Sequence, residues 1–541
     1  MALALVAPQA RGLTTQTHFC NVVKMTGDTT FNLARDSLLA HEPQAGLRRF
    51  RRRGYQRYRH IIGNVDLALI WKRRWFVVAM ILGLALMNAP TPAGLTHDGQ
   101  VVLVMSLMAT LMFVTEPVPL PSVALMIVVG QVIFLGLDSS KVASSLMTDS
   151  VLFIMGSLML AVAVVKQKLD KRIALAIVRV TGTSVFWISF GITVVCGVLA
   201  SFIGEHTVAA MMLPVGVTLI SLTSSDGTKV KNLAAVLLLS ISYGCAIAGI
   251  GTPSGGARNA IMIGYWKEFF YDPTNPETRR YLMDYLTWML YAYPMFLIQL
   301  PIVSALLFWT FKPEYKDLSR AVARLRTQVA MDGPLGSQGW SSILLFIATI
   351  IGWIAFSESL GLGIVAISGA IAFLVAGLVR WEDINSGVNW GVVLLYAAAI
   401  SLGLQMKDTG AAEWVARTFI SALTPLGLAE GAGLAGAVAV LTTIVTNTMT
   451  AGAAVAVLGP VVLKTASVSG ADPLNIGFVT AISSAFAYLT AAAHPAFTII
   501  YASGYLKASD FFKSGWRMTI ISLVLIIGMS LFYWPLLKGL N

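Results

Sequence analysis

The stretch Gly249-Ile250-Gly251-Thr252-Pro253-Ser254-Gly255-Gly256-Ala257-Arg258-Asn259 interrupts an apolar run that starts at Leu233. Glycines and a proline at this density unwind a helix and expose its backbone. At membrane depth that is tolerated only where protein or a polar cavity covers it. Arg258 brings a planar, permanently charged fork shaped for a carboxylate, either a ligand's or that of Glu205. The plainer reading of Arg258 is a basic anchor at a helix end.

Three other stretches break their apolar surroundings. Thr446-Asn447-Thr448, with Thr442 one turn earlier, sets three consecutive polar side chains where one helical face cannot hold them all. They suit the tip of a re-entrant helix, where the free N–H groups and dipole of the next helix attract an anion. Asn and Thr oxygens at such a tip also suit a sodium ion. Glu205-His206-Thr207 forms a second tip, and a carboxylate at that depth needs a partner or a proton. Thr490 through His494-Pro495 is the fourth break, and histidine is the side chain whose charge changes near neutral pH. Interhelical hydrogen bonds, a satisfied ion pair and a structural histidine are the respective plainer readings.

These breaks sit in a chain of 541 residues that is 56% hydrophobic and 12% charged, against about 25% charge in a soluble domain. Apolar runs long enough to cross a bilayer, roughly 17–25 residues, recur between residues 75 and 538. The expected fold is an all-α polytopic membrane protein with about eleven transmembrane helices plus half-length segments. Composition excludes a soluble nucleic-acid binder. Cys20, Cys196 and Cys245 have neither metal-site spacing nor the look of a disulfide framework.

The net charge of +12 is uneven: residues 1–74 hold thirteen Lys or Arg and four Asp or Glu. That excess, densest from Arg48 to Arg59, predicts a cytoplasmic N-terminus touching anionic lipid, in a bacterial-type inner or plasma membrane. Residues 1–46 lack the apolar core and cleavage site of a signal peptide. The expected organisation is a basic cytoplasmic segment (1–74), a first transmembrane repeat (75–311), a cytoplasmic linker (312–338) and a second transmembrane repeat (339–541).

The repeat rests on three blocks. Lys168-Leu169-Asp170 pairs with Lys407-Asp408-Thr409, Gly204-Glu205-His206-Thr207 with Thr446-Asn447-Thr448, and Gly256-Ala257-Arg258-Asn259 with His494-Pro495-Ala496-Phe497. The offset stays near 240 positions each time. Repeats broken at matching places point to a transporter whose site lies between them, near the bilayer midplane.

At these residues the chain resembles the divalent anion/sodium symporter family of dicarboxylate and citrate carriers, from about residue 99 to the C-terminus. Thr115-Glu116-Pro117-Val118-Pro119 is similar to the family's early Thr-Glu-x-x-Pro segment. Residues 149–161 with Lys171-Arg172-Ile173, residues 389–410, and Ile500-Tyr501-Ala502-Ser503-Gly504-Tyr505 resemble later segments in the right order. The resemblance implies an inverted repeat, two re-entrant hairpins, a homodimer and elevator-type movement. It also implies a Ser-Asn-Thr signature at each hairpin tip that holds substrate carboxylate and one sodium per repeat. Thr446-Asn447-Thr448 keeps the signature, and sodium is expected at Thr442 and Asn447. The first tip departs, with Gly204-Glu205-His206 in its place and Ala200 at an earlier polar position, which speaks against sodium there.

The expected activity is secondary active transport of small organic anions, di- or tricarboxylates by family default. Arg258 paired with Glu205 replaces the first sodium, helped by His494 or His206. Anion exchange or proton coupling is then favoured over strict two-site sodium coupling. The alternatives are a sodium symporter using mainly the second-repeat site, and an anion channel. Substrate contacts are expected from Glu205, His206, Thr207, Arg258, Asn259, Thr446, Asn447, Thr448, His494 and Pro495. No enzymatic activity and no cofactor are expected beyond sodium or a proton as coupling ion, since Glu205, His206 and His494 lack metal-site spacing. Partners are a small anion, the lipid bilayer and a second copy of the chain, with no nucleic acid.

Overall fold

The computed structural model describes residues 73–167, 180–223, 230–323, 336–491 and 494–537. All but the end of the basic segment 1–74 lies outside the described residues, as do Cys20, the cluster at 168–172 and the middle of the 312–338 linker. The described chain is helical. In order it forms α1 (Arg74–Met87), α2 (His97–Thr115), α3 (Leu120–Leu135), α4 (Ser139–Ser145), α5 (Asp149–Val165), α6 (Val185–Ile203), α7 (Glu205–Thr223), α8 (Lys231–Ala248), α9 (Ala257–Phe270) and α10 (Tyr285–Phe311). There follow α11 (Ser337–Leu360), α12 (Leu362–Val375), α13 (Trp381–Gly387), α14 (Trp390–Asp408), α15 (Ala411–Leu423), α16 (Gly431–Thr446), α17 (Ala451–Ser469), α18 (Pro473–Ser483), α19 (Pro495–Tyr501) and α20 (Ala508–Gly528).

Among the described residues nine helices are long and apolar enough to cross a bilayer, or eleven if two sharply bent pairs each make one span. A helix of 19 residues, the length of α6 and α7, reaches about 28 Å at ~1.5 Å per residue, close to the ~30 Å hydrocarbon core. Local chemistry sets the ends. Thr96 Oγ1 accepts the Gly99 N–H at 3.0 Å to start α2, and Asp138 caps α4 through the N–H groups of Ser140 and Lys141. The apolar run over residues 343–379, too long for one span, is divided at Gly361, whose φ of +86° suits glycine. Asp149 Oδ1 then accepts the Gly363 N–H at 3.0 Å, so α12 lies along α5.

The two halves run in parallel through this order. Seven-residue α4 and α13 precede α5 and α14. Helices α7 and α17 are both 19 residues long and carry a proline at the tenth position, Pro214 and Pro460. Packing follows the same pattern. Helix α6 lies on α8 as α16 lies on α18, α7 lies on α19 as α9 lies on α17, and α8 meets α19 as α9 meets α18. Helix α15 meets α16 at 116° and packs on α17, burying Ala412, Ala416 and Leu423 while Glu413 pairs with Arg417 and with Lys464 of α17.

Helix α8 is buried along almost its whole length, whereas α11 and α20 expose most of theirs. The centre of the bundle therefore holds α8, α9, α18 and α19. An aromatic cluster locks their surroundings: the Phe478 ring of α18 lies 4.9 Å from Trp266 and Trp288 and stacks on Tyr291 at 4.7 Å. Each indole in the cluster donates its N–H to a carbonyl, Trp266 to Pro473, Trp288 to Ile250 and Trp534 to Tyr291. Buried tryptophans bring large apolar area only when that N–H is satisfied.

Candidate functional site

All four breaks converge at the centre of the bundle. Helix α6 stops at Gly204, whose φ of +97° is open to glycine, and α7 starts at Glu205. Helix α8 stops at Gly249, and apart from a single 3-10 turn at Pro253–Gly255 the chain is unwound until α9 begins at Ala257. Asn259 holds this loop closed, its Nδ2 donating to the carbonyls of Gly249 and Thr252 at 2.7 Å each. Thr252 Oγ1 donates to the Ser201 carbonyl of α6, tying the break to the first hairpin.

In the second half the tie runs the other way. Thr446 Oγ1 donates to the Ser484 carbonyl at 2.6 Å. Asn447 Nδ2 donates to the carbonyls of Thr443 and Phe486, and its Oδ1 accepts the Leu489 N–H at 3.2 Å. Thr448 turns back to the Val445 carbonyl and is exposed, outside the cavity. Thr442 is fully buried, and its Oγ1 has no hydrogen-bond partner among the described residues.

The centre holds a charged cluster. Both guanidinium arms of Arg258 reach Glu205, Nη1 to Oε1 at 3.1 Å and Nη2 to Oε2 at 3.0 Å. Arg258 is 1% exposed and Glu205 7%. His494 is fully buried and completes the cluster from the other half, its Nε2 3.2 Å from Glu205 Oε2. Its Nδ1 accepts the Ala496 N–H at 3.3 Å, which caps α19 behind Pro495. Of the two carboxylates open to Arg258 in the sequence, the fork holds Glu205. Glycines make room for it: a Cβ at Gly249 would lie 2.5 Å from Nη2, and one at Gly256 2.9 Å from Nη1.

Above the cluster lies a cavity of about 280 Å³. Glu205 and His206 of the first tip, residues 253–257 of the first break, Thr450 beside the second tip and Pro495 at the second break all border it. The rest is Phe153, Ile154, Ser157 and Leu158 of α5, Ile203, Ala260, and Asn389, Val392 and Tyr396 at the start of α14. The sequence-predicted residues are thus brought together, though in different places: Glu205, His206 and Pro495 line the cavity, Arg258 and His494 sit under it, and Asn259 and Asn447 brace its loops. Thr207 is half-buried and outside the wall. Among the described residues no group of three His, Cys, Asp or Glu is arranged to hold a metal ion.

A family profile described as the sodium:sulfate symporter transmembrane region matches residues 68–540. The chain belongs to this sodium:sulfate symporter family. Its members are transporters, so the chain is an integral membrane transport protein and not an enzyme. An uncharacterized transporter of Haemophilus influenzae is 27% identical, over 74% of this chain and 84% of that protein. The sodium-dependent high-affinity dicarboxylate transporter 3 of Caenorhabditis elegans is 26% identical, over 77% of this chain and 80% of that one. A sodium-dependent dicarboxylate transporter of Staphylococcus aureus is 22% identical, over 83% of this chain and 89% of that one.

Within this symporter-family chain, sequence reasoning overlooked Ser157, Ser254, Tyr396 and Thr450. Ser254 lay inside the quoted break without being singled out, and Thr450 carried a local signal, a threonine just before an Ala-rich helix, where it caps α17 by accepting the Ala453 N–H.

Proposed function

We propose that the protein is a secondary carrier of small organic anions, moving substrate in the central cavity by an elevator mechanism. Its transport domain would be built from the two hairpins α6–α7 and α16–α17 with the broken helices α8–α9 and α18–α19. The matched helix pairs support an inverted repeat related by a pseudo-two-fold axis. A homodimer and a cytoplasmic N-terminus belong to the same reading, the latter from the basic residues before α1. The relatives named as dicarboxylate transporters make dicarboxylates the reference class of substrate.

One observation carries the coupling: the buried Arg258 fork on Glu205. A sodium ion at a hairpin tip offsets negative charge and ties the tip to the broken helix. The guanidinium does both permanently, because unit charges ~4 Å apart attract by roughly 4 kcal/mol at an effective dielectric near 20. A tip ordered in this way need not wait for sodium, so anion exchange is favoured, with a proton on Glu205, His206 or His494 as the other route. The buried, unpartnered Thr442 Oγ1 beside Asn447 supports a second reading, sodium symport through the second half alone.

A carrier saturates and a channel does not. In proteoliposomes, counterflow of a labelled anion is expected to reach a maximum rate as unlabelled anion rises inside. Ohmic current proportional to concentration, with no counterflow, would favour the channel.

A further inference from the structure

Resting on the carrier reading, we propose that Ser254 donates a hydrogen bond to the bound anion and that Tyr285 is the positioning residue that aims it. The charged groups beside the cavity are already matched, because both Nη arms of Arg258 lie on Glu205. An anion in the cavity is therefore met by uncharged donors. Four side-chain hydroxyls border it, those of Ser157, Ser254, Tyr396 and Thr450. A hydroxyl on an ionised oxygen makes a bond roughly twice as strong as one between neutral groups, so a fixed hydroxyl can favour an anion.

Ser254 is fixed. It is 7% exposed, in the 3-10 turn of the first break. Its Oγ lies 2.7 Å from the hydroxyl of Tyr285, which is fully buried at the start of α10. A buried phenol that donates to nothing is costly, so Tyr285 donates and Ser254 accepts. A hydroxyl carries one proton and two acceptor lone pairs, which leaves the Ser254 proton to point elsewhere. The acceptors around it are poor. Thr252 Oγ1 lies 3.2 Å away and the Ser201 carbonyl 3.4 Å, and that carbonyl already takes the Thr252 proton. An anion in the cavity offers a shorter, charged bond.

The tyrosine is itself clamped. Its ring stacks on Trp353 of α11, with centroids 5.2 Å apart and planes at 6°, and its N–H meets Ser357 Oγ at 3.4 Å. Trp353 is fully buried and donates its indole N–H to the Leu362 carbonyl at 3.2 Å. It also packs edge-to-face with Phe153 of the cavity wall, at 5.6 Å. One tryptophan thus holds both the apolar wall and the phenol that orients Ser254.

Counterflow of labelled succinate in proteoliposomes of the full-length protein, over a range of concentrations, tests this with Tyr285→Phe, Ser254→Ala and the double variant. Either single change is expected to raise the half-saturating concentration roughly tenfold, the loss of one hydrogen bond to an anion. The maximum rate should change much less, and the melting temperature little. The double variant should also stop near tenfold, because both changes remove the same bond. A roughly hundredfold rise in the double variant, or a Tyr285→Phe that loses maximum rate at an unchanged half-saturating concentration, makes Tyr285 a structural residue and overturns the proposal. An unchanged half-saturating concentration in Ser254→Ala overturns it whether or not Tyr285→Phe folds. Succinate that binds the unmodified protein in calorimetry but shows no counterflow removes the carrier reading, and the same ratios taken from dissociation constants then decide the role of Ser254. No binding of succinate overturns both.

Discussion

Arg258→Met is expected to abolish anion transport and to lower the melting temperature sharply. The variant keeps Glu205 at 7% exposure with only His494 beside it, at 3.2 Å. Removing one partner of a buried ion pair costs roughly 3–5 kcal/mol, a large share of the roughly 5–15 kcal/mol that holds a typical domain folded. The loss falls on the hairpin tip, because Glu205 begins α7 and Arg258 belongs to α9. The double variant Arg258→Met with Glu205→Gln separates stability from function. With both charges gone, melting should return toward that of the unmodified protein, since neutral replacement of a buried pair is often harmless. Transport should stay lost, because only uncharged hydroxyl bonds such as that of Thr252 to Ser201 then tie the first hairpin to the broken helix. A single variant that melts and transports normally contradicts the role given to Arg258.

The second large effect is expected at Asn447. Its side chain makes two bonds to the unwound segment, donating to the Phe486 carbonyl and accepting from the Leu489 N–H, and a third back to the Thr443 carbonyl of its own helix. Asn447→Leu keeps the branched outline and removes all three. Each backbone group left unsatisfied in this interior costs about 1–3 kcal/mol, so the unwound segment after α18 should loosen and transport should fall to background. Hydrogen exchange at the Leu489 amide reads the loosening directly. Asn447→Asp keeps the acceptor for Leu489 and loses both donors, so it should fall between the two. Unchanged exchange in Asn447→Leu would show that the tip is held by Thr446 and Ser484 alone.

The parts legible in the sequence share one cause. Charged and amide side chains are expensive inside an apolar run, so Glu205, Arg258, Asn447 and His494 stood out against their neighbours; Glu205 lines the cavity, Arg258 and His494 contact Glu205, and Asn447 braces the second tip. Glycine was legible where backbone must come close. A Cβ at Gly255 would lie 2.7 Å from the Gly249 carbonyl, so the loop could not close on itself with any other residue there. Sequence could not say which polar residue serves the chain and which faces a ligand. Asn259 reads as a ligand contact, and its Nδ2 is held by the Gly249 and Thr252 carbonyls while its buried Oδ1 has no hydrogen-bond partner among the described residues. Thr448 looks equivalent to its two neighbours, yet the turn aims it outward.

The apolar wall was illegible for a different reason. In a membrane protein, Phe153, Ile154 and Val392 read the same whether they face lipid, another helix or a cavity. Only the packing of α5 on α12 and the position of α14 decide it. The meeting of His494 with Glu205 depends likewise on α19 lying against α7, a contact between distant parts of the chain that no local pattern encodes.

On the carrier reading a built-in arginine does the work of a sodium ion at the first tip. Counterflow in proteoliposomes, with sodium replaced throughout by choline at constant ionic strength, tests it most directly. Exchange of labelled for unlabelled anion that persists undiminished without sodium is the predicted result. Exchange that vanishes without sodium, and that returns with a dependence requiring more than one sodium ion per cycle, would contradict it.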